Sequence, residues 1–123
     1  MTGRVVVGDR RGRRLGYPTA NLRPGRRVLP LDGVFAAWVR GVSERPVPAM
    51  VNLGTRPTVG GREALLEAHL FDFEADLYGR RITVEFVARL RDEERFDSLE
   101  ALRAQMDADA EHARRVLAQA PPA

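Results

Sequence analysis

Residues 81–90, Arg81-Ile82-Thr83-Val84-Glu85-Phe86-Val87-Ala88-Arg89-Leu90, alternate along the chain: Ile82, Val84, Phe86, Ala88 and Leu90 fall on one face, Thr83, Glu85 and Arg89 on the other. A period of two with one apolar side is the pattern of a β-strand that buries a single face. Four upstream stretches also read as strands from their apolar, β-branched and aromatic content: Gly3 to Val7, Gly33 to Arg40, Val47 to Leu53 and Ala64 to Phe71. Turns rich in Gly, Pro, Asp and Asn join them. The reversal between Asp72 and Gly79 predicts that 64–71 and 81–90 form an antiparallel hairpin. After Phe96 the period changes. Leu99, Leu102, Met106, Ala110, Ala113 and Leu117 recur at three- and four-residue intervals, as in an amphipathic helix. Asp97 stands where an N-cap belongs, Glu100 completes a capping box, and Pro121-Pro122 ends the helix. Short strands followed by one helix, without βαβ alternation, predict a mainly β domain: an antiparallel sheet or small barrel with one C-terminal helix packed on it.

The 123 residues suffice for one domain, 1–123, with 118–123 expected as a disordered Pro/Ala tail. There is no cysteine, which excludes disulfides, thiolate zinc sites and cysteine nucleophiles. No apolar run is long enough to span a membrane, and no signal-peptide-like segment opens the chain, so a cytoplasmic protein without membrane contact is expected. All 20 basic residues are arginine, which removes the P-loop lysine and lysine nucleophiles or bases. Residues 1–27 carry eight arginines against the single acid Asp9, while the remainder carries twelve against sixteen acids. Such a localised positive field attracts a polyanion. The basic segment has only Tyr17 for stacking and no helix-turn-helix, RRM or zinc pattern, so a small nucleotide fits better than nucleic acid.

Within the basic segment, residues 8–22 read GDRRGRRLGYPTANL. Gly8, Gly12 and Gly16 let backbone N–H groups approach anionic oxygens, and the interleaved arginines supply planar donor forks that match phosphate. Thr19 and Asn21, following Pro18, offer hard neutral oxygens suited to a Mg²⁺ that keeps its other ligands as water and nucleotide phosphate. By residue type alone, a solvated arginine-rich turn closed by a proline is the simpler account. A second candidate lies on strand 64–71, where Leu66, Ala68 and Leu70 share one face and Leu65, Glu67, His69 and Phe71 the other. Taken alone, that second face is a half-exposed strand surface with a solvated Glu.

The segment GDRRGRRLGYPTANL resembles the N-terminal signature of riboflavin kinases, in which Pro-Thr-Ala-Asn follows a glycine-rich loop. Four further blocks keep the family's order and approximate spacing: Met50 to Thr58, Leu66-Glu67-Ala68-His69-Leu70, Asp72 to Gly79, and Leu90 to Leu99. The resemblance covers residues 3–117 and implies a six-stranded Greek-key barrel with the helix against it. It implies transfer of the γ-phosphate of MgATP to the ribityl 5′-hydroxyl of riboflavin, giving FMN and ADP. By the same resemblance Glu67 is the catalytic proton acceptor. Gly8, Gly12, Arg13, Gly16, Pro18, Thr19, Asn21 and Asn52 take the ATP side, with Thr19 and Asn21 holding Mg²⁺. Arg91, Phe96, Asp97 and Leu99 take the flavin side, and His69 packs or hydrogen-bonds. The alternative roles are ordinary ones: Asp97 as helix cap, Leu99 as core, Arg91 as partner of Glu93 or Glu94.

This chain departs from the pattern at Val7, where the family often has His, and at Arg10, where it often has Gly. The family module also begins several residues before Gly3, with a first strand, and the chain is expected to lack it. A monomer is expected, either a stand-alone kinase or a module fused to or associated with an FMN adenylyltransferase. The alternative from another class is a flavin- and nucleotide-binding module of the same fold without activity. Retention of both the Thr19/Asn21 pair and Glu67 argues against it.

Overall fold

The computed structural model describes residues 2–6, 19–22, 32–73 and 77–122. Along the chain these residues form β1 (Thr2–Val6), β2 (Thr19–Leu22), β3 (Gly33–Arg40), β4 (Val47–Thr58), β5 (Gly61–Leu70), β6 (Arg81–Arg91) and the helix α1 (Leu99–Ala118). All neighbouring strands are antiparallel in the order β1-β2-β5-β4-β3-β6, and β1 also pairs with β6, so the pairings run full circle with the chain's own strands. β3, β4 and β5 form a meander, and β6 returns to lie beside β3; that is a Greek key.

The expected hairpin between 64–71 and 81–90 does not form. β5 is flanked by β2 and β4, and β6 by β3 and β1, so the connection after Leu70 leads to the opposite side of the meander. Leu77 and Phe73 from this connection pack against the interior. β5 forms its hairpin with β4 instead, and the two stay paired to Thr58↔Gly61, beyond the stretches read from apolar content.

Alternation puts Phe35, Ala37 and Val39 of β3, Ala49, Val51 and Leu53 of β4, and Leu66, Ala68 and Leu70 of β5 inside the barrel. β3 is apolar on both faces because its outer residues Ala36 and Trp38 lie under α1, together with Met50 and Phe71. Against them α1 packs Met106, Ala110, Ala113 and Leu117, with Leu102 and Val116 at the margin. The three-and-four spacing is thus met, except at Leu99, which is 56% exposed.

On β6 the expected single face holds only as far as Phe86, whose ring meets Phe35 edge-on at 5.1 Å. Ala37 pairs with Phe86 but Ala36 pairs with Ala88, which leaves Val87 as the extra residue of a bulge. Ala88 therefore comes opposite Ala36 on the outer side, and Leu90 packs under α1. A bulge changes side-chain parity without leaving any trace in the alternation itself.

The helix N-cap is Ser98, not Asp97: the Ala101 N–H donates to Ser98 Oγ at 3.0 Å. At the other end, Ala118 is the last helical residue, and Trp38 Nε1 donates to the Ala120 carbonyl at 2.8 Å. Residues 118–120 are therefore tied to β3 rather than belonging to a loose tail.

Candidate functional site

Register across the outer face of the barrel brings the candidate residues together. Asn21 lies opposite Glu67, Glu67 opposite Asn52, Asn52 opposite Val34, and Val34 opposite Arg91, one transverse row over five strands. The adjoining row runs Thr19, His69, Met50, Ala36, Ala88. Directly opposed positions share a face. Helix α1 covers part of this face. Val34, Met50, Asn52, Glu67, His69 and Arg91 of this face, together with residues 93–99 and the N-terminal half of α1, wall a cavity of about 590 Å³, within the size range of small-molecule sites.

Glu67 lines that cavity with its side chain 24% exposed. Its Oε2 is 4.0 Å from Nε2 of the buried His69, an electrostatic neighbour beyond hydrogen-bond distance. Asn52 stands beside Glu67, and its Oδ1 is buried with no hydrogen-bond partner among the described residues. A buried unmet acceptor costs about 1–3 kcal/mol, which a ligand's donor would recover. Arg91 continues the row on β6, and Phe96, Asp97 and Leu99 line the same cavity. The partner of Arg91 is neither Glu93 nor Glu94 but Asp109 on α1, with Nη2 to Oδ2 at 2.8 Å. The Arg91 guanidinium lies 5.8 Å from the centre of the Phe96 ring.

Glu93, which also lines the cavity, rests its carboxyl group where a side chain on Gly54 would be. Burial raises the Glu93 pKa above its ordinary 4.5, and the nearby Asp32 carboxylate adds to this while Arg91 opposes it. Leu99 is exposed and lines the cavity rather than the core. Asp97 is exposed beside the capping Ser98.

Of the residues singled out from sequence, Glu67, Asn52, Arg91, Phe96, Asp97 and Leu99 converge on one cavity. Thr19 and Asn21 fall on β2 in register with His69 and Glu67. Gly8, Gly12, Arg13, Gly16 and Pro18, and the departures Val7 and Arg10, lie outside the described residues. Among the described residues no three His, Cys, Asp or Glu gather as a metal cluster. A cation at the 19/21 position would be held by neutral oxygens and by its own nucleotide, a set that suits Mg²⁺.

Asp109, Gln105 and Glu93 were missed. Asp109 had a signal, because it lies in the apolar stripe between Met106 and Ala110, and a charge on a buried helix face requires a partner. No helix among the described residues is long and apolar enough to cross a membrane.

A family model described as riboflavin kinase matches residues 1–117. The chain is 47% identical over 123 residues to a bifunctional riboflavin kinase/FMN adenylyltransferase of Escherichia coli K12, covering 100% of this chain and 39% of that protein. It thus spans about two fifths of the length of that curated relative. Among solved structures, riboflavin kinase from Trypanosoma brucei superposes with a TM-score of 0.66 at 27% identity, over 98% of this chain and 79% of that one. A Streptococcus pneumoniae structure titled as a macrolide-efflux protein gives a TM-score of 0.83 at 41% identity, over 92% of this chain and 37% of that one. With a match across nearly every residue, and with Glu67 and the 91–99 wall meeting at one cavity on a Greek-key barrel, the chain belongs to the riboflavin kinase family.

Proposed function

We propose that this domain transfers the γ-phosphate of ATP to the ribityl 5′-hydroxyl of riboflavin, releasing FMN and ADP. The observation that carries the reading is the position of Glu67: a carboxylate beside Asn52 and in register with Asn21, in a cavity that Arg91 and Phe96 also line. Riboflavin occupies the cavity with its ring system toward Arg91, Phe96 and Leu99 and its ribityl chain toward Glu67. Glu67 orients the 5′-hydroxyl and accepts its proton as that oxygen bonds to the γ-phosphorus. The bond from the γ-phosphorus to the β–γ bridging oxygen breaks, and ADP leaves. Phosphoryl transfer asks little more of a protein than positioning, charge neutralisation and one group to direct the nucleophile. Thr19 and Asn21 would hold Mg²⁺, which when bound neutralises the phosphate charge. Asn52, with its buried unmet oxygen, accepts a hydrogen bond from substrate. Only the kinase half of the bifunctional relative's name is carried to this chain.

FMN formation from riboflavin and ATP, with and without Mg²⁺, tests the reading. Glu67→Gln should leave flavin binding near normal and lower kcat on the order of 10²–10⁴-fold. A wild-type protein that binds flavin and makes no FMN would be an inactive binding module. Near-normal turnover in Glu67→Gln would remove Glu67 from the mechanism.

A further inference from the structure

Asp109 and His69 are the buried polar or charged side chains among the described residues, and Asp109 is 5% exposed. Removing a carboxylate from water is costly unless it is paired and fully hydrogen-bonded. Asp109 is both. Arg91 Nε donates to Oδ1 at 2.9 Å and Oδ2 at 3.0 Å, Arg91 Nη2 donates to Oδ2 at 2.8 Å, and Gln105 Nε2 donates to Oδ1 at 3.0 Å.

Stability does not require such a pair. Its neighbours on the same helix face, Met106, Ala110 and Ala113, are apolar, and apolar replacements for buried ion pairs are often neutral or stabilising. An apolar residue could not fix a planar cation at one point of the cavity wall. Arg91 Nη1 also donates to the Asp92 carbonyl at 2.8 Å, so two of the guanidinium's five N–H groups have no acceptor among the described residues. Its position near the Phe96 ring adds a flat apolar face to those donors. A fused heterocycle with carbonyl oxygens and ring nitrogens along one edge is the ligand chemistry that both would meet.

We propose that Asp109 is a positioning residue for flavin binding: without touching the ligand, it holds the Arg91 guanidinium, and beside it the Phe96 ring, against the cavity. This rests on the kinase reading of the cavity. In Asp109→Asn one of the two acceptor oxygens becomes an NH2 donor set against the N–H groups of Arg91 or Gln105, and the charge is lost. Titration by flavin fluorescence should show riboflavin Kd raised about tenfold, with riboflavin KM following and with ATP KM and kcat within about twofold of wild type. Asp109→Glu, which keeps the charge at a shifted position, should recover part of the loss; it also serves as the test should Asp109→Asn not fold.

Ala113→Gly, which loosens the same helix face away from the bridge, is the control for lost stability. It should lower the melting temperature without a change specific to riboflavin. Unchanged riboflavin Kd in Asp109→Asn, or equal shifts for riboflavin and ATP as general loosening would give, would make the bridge a helix anchor only and overturn the proposal. If wild-type protein binds no riboflavin, the kinase reading itself falls, a result distinct from wild-type and Asp109→Asn proteins that bind alike.

Discussion

Two glycines, Gly33 against the Arg91 backbone and Gly54 against the Glu93 side chain, should respond in opposite ways to the same added methyl group. Gly33 opens β3 with φ +142°, and a Cβ there would lie 2.7 Å from the Arg91 carbonyl oxygen and 3.0 Å from Arg89 Nε. Positive φ costs an L-residue about 1–3 kcal/mol. The carbonyl it meets is backbone of the paired strand, which cannot retreat without parting Val34 from Arg91. Together these put Gly33→Ala at roughly 2–4 kcal/mol, and at roughly 3–5 °C per kcal/mol for a domain of this size the melting temperature should fall by roughly 6–20 °C. Gly54 is different, because the atoms nearest its Cβ would be those of the Glu93 carboxyl group, the free end of a flexible side chain. Glu93 can swing away, so Gly54→Ala should change stability by less than about 1 kcal/mol. It also removes Glu93 from the cavity wall, and riboflavin KM should rise. Thermal unfolding followed by circular dichroism, with KM measured well below either transition, separates the two. Gly33→Ala melting within a few degrees of wild type, or Gly54→Ala losing as much as Gly33→Ala, would refute the reasoning.

Ser98→Ala should cost about 1 kcal/mol through the lost cap, whereas Asp97→Ala should leave the melting temperature unchanged; the reverse ranking would restore Asp97 as cap. Glu93 has a raised pKa in the folded protein, so between 4.5 and that raised value the folded state binds more protons than the unfolded state, and stability falls as pH rises. Melting curves from about pH 4 to 7 should show wild type losing ground to Glu93→Gln across that window, and parallel curves would count against it. Thr19→Ala and Asn21→Ala should each need more Mg²⁺ for half-maximal FMN formation, and unchanged dependence in both would place the metal elsewhere.

The meander and the helix were legible because their signals are local. The alternation of Leu66, Ala68 and Leu70 and the spacing from Leu102 to Leu117 each need only one buried face to be read. Pairing was not legible. Asp72 to Gly79 looks like a hairpin turn, yet what flanks β5 and β6 is decided by strands distant in sequence. Asp97 and Ser98 illustrate a smaller failure: both are good caps, and which one serves depends on where the helical dihedrals begin. For the site, the motif residues could be picked out, but not the alignment of Asn52 with Glu67 and Arg91, which follows from register. Asp109 was hidden by the habit of reading an apolar stripe for its apolar members.

The bulges of β6 also decide which arginine faces the site. Continued without shifts from Ala37↔Phe86, the ladder would set Val34 opposite Arg89 and leave Arg91 beyond the start of β3. Two register shifts carry the pairing forward, so that Val34 meets Arg91. Because there are two, the parity lost at the first is regained at the second, and Arg91 arrives on the outer face in the row of Glu67 and Asn52. Arg89 is left to close the end of the barrel, donating through Nε and Nη2 to the Asp32 carbonyl at 3.2 and 2.7 Å. The two side chains are chemically identical and two residues apart. Their separate roles come from backbone geometry, which also places Arg91 where the carboxylate of Asp109 can reach it.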